Sequence, residues 1–83
     1  DVRERFEFAI CRISGSVLIP LGELPSRLRE VPADAAVVTV CHTGQRSLAA
    51  ARFLRDAGVS RARSLRGGVE AWALNVDPAM PRY

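Results

Sequence analysis

Apolar and polar positions follow one another along this chain in short, distinct rhythms. Residues 4–10 (Glu-Arg-Phe-Glu-Phe-Ala-Ile) are mostly helix-compatible and predict a short helical segment. Val17-Leu18-Ile19 is a compact apolar run stopped by Pro20 and predicts a short buried strand. Over residues 22–31, Leu24, Leu28 and Val31 fall at i, i+4 and i+7, the pattern of an amphipathic helix with Pro25 in its first turn. Val37-Val38-Thr39-Val40 is β-branched throughout and apolar but for Thr39, which predicts a strand buried on both faces that delivers the chain to Cys41. From Ser47 onward, Ala50, Phe53, Leu54 and Ala57 mark one face of a helix and Arg52, Arg55 and Asp56 the other, with Gly58 as its C-terminal cap. Residues 61–65 predict another strand, Arg66-Gly67-Gly68 a turn, and residues 69–74 a last helix whose Trp72 belongs in the core.

Strands alternating with helices through short connections define an α/β fold, a parallel sheet flanked by helices. Such sheets bind ligands beyond the carboxyl ends of their strands, and Cys41 sits at one of those ends. A length of 83 residues holds one small domain, residues 1–83. The chain opens on Asp1-Val2-Arg3 with no initiator Met, and we read it as a fragment whose sheet is truncated at the N-terminal strand.

Composition narrows the class further. Hydrophobic content of 48% and charged content of 25% exclude disorder, and the broken apolar stretches exclude a membrane span. The formal charge of +3 comes entirely from twelve Arg, with no Lys, scattered among nine acids and five aromatics. That scatter argues against a nucleic-acid surface and leaves an attraction for acidic partners. Two cysteines, Cys11 and Cys41, with one His and no CxxC, make neither a disulfide framework nor a zinc site, and they suit a reducing cytoplasm.

The segment Cys41-His42-Thr43-Gly44-Gln45-Arg46-Ser47 reads as strand end, loop and helix start. A thiol placed there faces the unpaired N–H groups and the positive end of a helix, a setting that favours the thiolate. Gly44 lets the loop curl so that its N–H groups form an anion-binding nest. Arg46 either clamps an incoming oxyanion or is held by a carboxylate that braces the loop. Cys11, by contrast, reads as a packing residue, and His42 contributes chiefly its backbone.

This loop resembles the Cys-x-x-Gly-x-Arg-Ser active-site loop of rhodanese-like sulfurtransferases. Three further segments are similar in the same order: Asp1-Val2-Arg3-Glu4, Ile13-Ser14-Gly15-Ser16 with Ile19-Pro20, and Leu65-Arg66-Gly67-Gly68 with Trp72. The tail, residues 76–83, resembles that of the C-terminal domain in adenylyltransferase/sulfurtransferases serving molybdopterin and thiamine-type sulfur carriers. The resemblance implies a Cys41 persulfide that takes sulfane sulfur from thiosulfate or a donor persulfide and passes it to a nucleophile. It implies backbone binding of that anion by His42, Thr43, Gly44, Gln45 and Arg46, an Arg3 at the site mouth, and an Asp1 that braces the loop. It further implies a ubiquitin-like sulfur-carrier protein as acceptor, fusion to an adenylating domain, and no metal or organic cofactor. Ser14 replaces the family's usual Pro, which frees the unfolded backbone and costs about 0.4–1 kcal/mol.

Two other functions use related folds. Phosphatase loops place five residues between Cys and Arg to enclose a tetrahedral phosphate, whereas four intervene here, residues 42–45, a cradle sized for one sulfur. The alternative function is a catalytically silent docking or regulatory module.

Overall fold

A computed structural model describes residues 1–82. Helix α1 (Arg5–Ile10) starts with a capping box in which the Glu7 carboxylate accepts the Glu4 N–H at 2.8 Å. Strand β1 (Val38–Thr39) pairs in parallel with β2 (Arg63–Ser64), Val38 opposite Arg63 and Thr39 opposite Ser64. Helix α2 (Gln45–Asp56) crosses between them, and α3 (Gly68–Asn75) follows β2. On the far side of β1, the Val2 N–H donates to the Val40 carbonyl at 2.8 Å. Asp1 continues the array: its amino group donates to the Val17 carbonyl, and its own carbonyl accepts the Ile19 N–H at 2.9 Å, the bonding of a parallel ladder. Among the described residues the sheet proper has two parallel strands, and segments 1–2 and 17–19 flank it through these backbone bonds without forming strands. The buried strand expected at 17–19 is therefore absent, and Val17 there is exposed.

Apolar side chains pack on both faces of this layer. Val2, Ile19, Leu24, Cys41, Ala50, Leu54, Val59 and Ala62 form the larger core, built around α2. Cys11, Val40 and Val69 form a smaller one, against Leu65 and Met80. Helix α2 closes with the Val59 N–H on the Leu54 carbonyl and the Gly58 N–H on the Arg55 carbonyl, and Gly58 adopts φ 104°. This double closure satisfies the last carbonyls in the way a glycine at that position permits.

Several elements differ from the sequence reading. Residues 22–31 form two 3₁₀ turns, Leu21–Glu23 and Pro25–Glu30, in place of one α-helix. Pro25 lacks the N–H that a continuous helix would need, and Arg27 leaves the helical region with φ −116° and ψ 18°. Val38 is 57% exposed, so β1 is covered on one face at that position and not on both. It borders an open cleft of about 490 Å³ between segments 15–19 and 36–40, beside Asp1. Trp72 is half-buried on α3 and absent from both cores. Tyr83, the end of the tail compared above, lies outside the described residues.

Candidate active site

Cys41 follows β1 by two residues and opens a loop of three residues, 42–44, and α2 begins at Gln45, two residues earlier than the apolar pattern places it. Gly44 caps that helix with φ 115°, a conformation that side-chain-bearing residues rarely adopt. The turn aims the Gly44 N–H at the Cys41 sulfur, 3.1 Å away, while Ser47 Oγ on the first turn of α2 lies 3.3 Å from it. The sulfur is thus buried, with Cys41 only 1% exposed, yet surrounded by donors. Burial raises the energy of a thiolate, but hydrogen bonds from Ser47 and from the Gly44 and Thr43 backbone outweigh it and hold the Cys41 thiol below its ordinary pKa.

The back of the loop is fastened to α3. The Cys41 carbonyl accepts the Val69 N–H at 2.8 Å and the His42 carbonyl accepts the Glu70 N–H at 3.0 Å. Gly68 makes that approach possible: a Cβ there would stand 2.3 Å from the Cys41 oxygen and 2.5 Å from the His42 oxygen. The His42 side chain turns outward, with Nε2 3.2 Å from Glu70 Oε2, and Arg82 also pairs with Glu70. Thr43 and Gln45 are exposed, and Thr43 meets the sulfur through its backbone N–H.

Arg46 resolves the choice that its position left open. Its Nη1 and Nη2 donate to the two Glu7 carboxylate oxygens at 2.7 and 2.9 Å, so a carboxylate braces the loop and the guanidinium does not point at the sulfur. Charge on Cys41 still favours the Arg46 cation through space. Glu7 is the residue that sequence reasoning missed. Its signal was the Glu4–Glu7 spacing of a capping box, which fixes the carboxylate at the helix start but says nothing of a partner 39 residues away.

Arg3 corrects an expectation. It is 0% exposed and so does not stand at a site mouth. Its guanidinium donates to the Asp1 carboxylate at 2.7 Å and to the Cys11 carbonyl at 2.7 Å, with a longer bond to the Glu7 carbonyl. A buried guanidinium requires such partners, and Asp1 supplies the counter-charge. Asp1 accordingly touches Arg3 and not the loop, and its influence there passes through Arg3, α1 and Glu7. Cys11 is buried, with its sulfur 3.8 Å from Arg3 Nη1.

Fold and cradle define a class, an α/β domain that keeps a buried, donor-surrounded thiol just past the carboxyl end of a parallel strand. More particularly, the chain belongs to the Rhodanese-like domain family, which it matches over residues 1–75. It is 38% identical over 73 residues to a sulfurtransferase of Allochromatium vinosum, covering 88% of this chain and 68% of that protein. It is 40% identical over 85 residues to the probable adenylyltransferase/sulfurtransferase MoeZ of Mycobacterium tuberculosis, where it spans all of this chain and 22% of that protein. Among solved structures it resembles the CoADR-RHD protein of Bacillus anthracis, with a TM-score of 0.86 and 38% identity over 99% of this chain and 14% of that one. The rhodanese-related protein of Thermoplasma volcanium gives a TM-score of 0.82 and 31% identity over 96% of this chain and 76% of that one. The chain is therefore homologous to sulfurtransferases, and it spans about a fifth of the adenylyltransferase/sulfurtransferase relatives. Among the described residues, no helix is long and apolar enough to cross a membrane.

Proposed function

We propose that this domain is a sulfurtransferase that carries sulfane sulfur as a persulfide on Cys41. The observation behind this reading is the buried sulfur held by the Gly44 N–H and Ser47 Oγ while Arg46 is engaged by Glu7. Distributed backbone donors suit a single anionic sulfur, whereas a tetrahedral phosphate would call for the guanidinium itself. The Cys41 thiolate attacks the outer sulfur of thiosulfate; the S–S bond to the sulfonate breaks, and sulfite leaves with its electron pair. The terminal sulfur of Cys41-S-S⁻ then lies among the N–H groups of residues 42–46. An acceptor thiolate, or cyanide, attacks that terminal sulfur, and the Cys41 thiolate leaves.

A cleft of about 460 Å³ beside the loop supports anionic partners. Thr43, Gly44 and Ser64 line it together with Arg55, Arg63 and Arg66, and none of these arginines is paired with a carboxylate of the described residues. Thiosulfate, a donor persulfide or the acidic face of a ubiquitin-like sulfur carrier would meet complementary charge there. Fusion to an adenylating domain in the full-length protein would present such a carrier with an activated C-terminus, and two free thiols suit the cytoplasm.

Intact-protein mass spectrometry after incubation with thiosulfate tests the reading. A reducible gain of one sulfur, about 32 Da, kept by Cys11→Ser, lost in Cys41→Ser and released by cyanide as thiocyanate, is expected. A folded chain that takes up no sulfur would replace this reading with that of a docking module.

A further inference from the structure

The hydrogen bonding at Cys41 does not end at Ser47. Ser47 Oγ, in a residue that is wholly buried, lies 2.6 Å from Ser64 Oγ on β2, and Ser64 Oγ lies 3.5 Å from the Gly44 carbonyl oxygen. Each hydroxyl has one hydrogen to place. With Cys41 protonated, the thiol donates to Ser47, Ser47 donates to Ser64, and Ser64 donates weakly to Gly44. With Cys41 ionised, Ser47 turns its hydrogen to the sulfur, and its oxygen then accepts the hydrogen of Ser64. The bond given up is the long, weak Ser64–Gly44 one. The Ser47–sulfur bond becomes charge-assisted and is reinforced by the Ser64 hydrogen on the Ser47 oxygen, so the exchange favours the anion.

We propose that Ser64 is a positioning residue for Cys41, its hydroxyl holding Ser47 with the hydrogen on the sulfur. β1 and β2 pair Thr39 with Ser64, and Thr39 Oγ1 donates to the Ser47 carbonyl at 2.7 Å, so the strand register itself brings the three hydroxyl residues together. The charged groups nearby are fixed by other partners or face the cleft. Arg46 is engaged by Glu7, His42 by Glu70, Arg55 by the Ala62 carbonyl, and Arg63 and Arg66 line the cleft. None of these contacts passes through Ser64. The inference rests on the reading above only in taking Cys41 as the reacting group.

The test is the pH dependence of Cys41 alkylation by iodoacetamide in a Cys11→Ser background, which reads thiolate without any sulfur donor. Ser64→Ala is expected to move the midpoint up by about 0.5–1 pH unit, the scale of one hydrogen bond. Ser64→Thr, which restores a hydroxyl, is expected to keep the midpoint, and Ser64→Val, of the same shape without one, to move it as Ala does. The Thr and Val pair carries the test if Ala unfolds the chain. Coincident midpoints for Thr and Val, or a rate that falls equally at every pH, would overturn the role. Failure of sulfur loading with a shifted midpoint would count against the sulfurtransferase reading alone.

Discussion

Arg46 and Glu7 form a two-pronged ion pair, at 2.7 and 2.9 Å, that ties the first turn of α2 to α1. The Arg46 guanidinium, donating to both carboxylate oxygens, holds Glu7 down to a pKa of about 2, against an ordinary value near 4.5. Its folded-state pKa is depressed, so the stability it contributes is complete above about pH 4.5 and is lost as pH falls toward 2. With Arg46 37% exposed and Glu7 6%, solvent weakens the pair to about 1–3 kcal/mol at neutral pH. Urea titrations of wild type and Glu7→Gln at several pH values are expected to show that difference at pH 7 and its decline below pH 4.5.

Arg3→Met is expected to destabilise the fold by about 3–5 kcal/mol, because it leaves the Asp1 carboxylate buried without its counter-charge. Thermal melts report this directly. A fold of near-normal stability in that variant, combined with weakened thiosulfate uptake, would instead return Arg3 to a donor-binding role.

Gly68→Ala forces a Cβ against two backbone oxygens at a residue with φ 61°. The loop cannot retreat without breaking its bonds to Val69 and Glu70, so a loss of about 1–3 kcal/mol is expected, together with a Cys41 of lower reactivity. Melting temperature and iodoacetamide reactivity of the same sample separate the two effects.

His42→Ala is expected to leave sulfur loading within a few-fold of wild type, because the side chain points to Glu70 while its backbone carbonyl does the fastening to α3. Single-turnover loading from thiosulfate checks this. A loss of a hundredfold or more would assign His42 general-base work.

The chain's local signals carried the thiol loop well. Gly44, the polar run after a β-branched strand and the periodicity of α2 all act within a few residues, and they place the loop and helix correctly except that α2 starts at Gln45, two residues before the apolar pattern begins. The misplacements arise where distance decides. Glu7, Ser64 and Gly68 meet the loop from three separate elements, and no local rhythm encodes which face they turn toward it. Arg3 misled for the opposite reason: a charged residue is ordinarily exposed, and its burial depends on Asp1 and on two backbone carbonyls of α1 and its end. Residues 22–31 had the apolar spacing of a helix, but Pro25 broke it into 3₁₀ turns that still bury Leu24.

Fastening the Cys41 and His42 carbonyls to α3 sorts the peptide dipoles of the loop, negative ends behind the sulfur and N–H groups before it. Charge on Cys41 is thereby met by short-range dipoles buried with it, with no mobile cation needed at contact. Dissolved salt screens distant exposed charges and scarcely touches such dipoles. The ionisation of Cys41 is therefore set to hold from dilute buffer to strong brine, while attraction into the arginine-lined cleft fades over the same range.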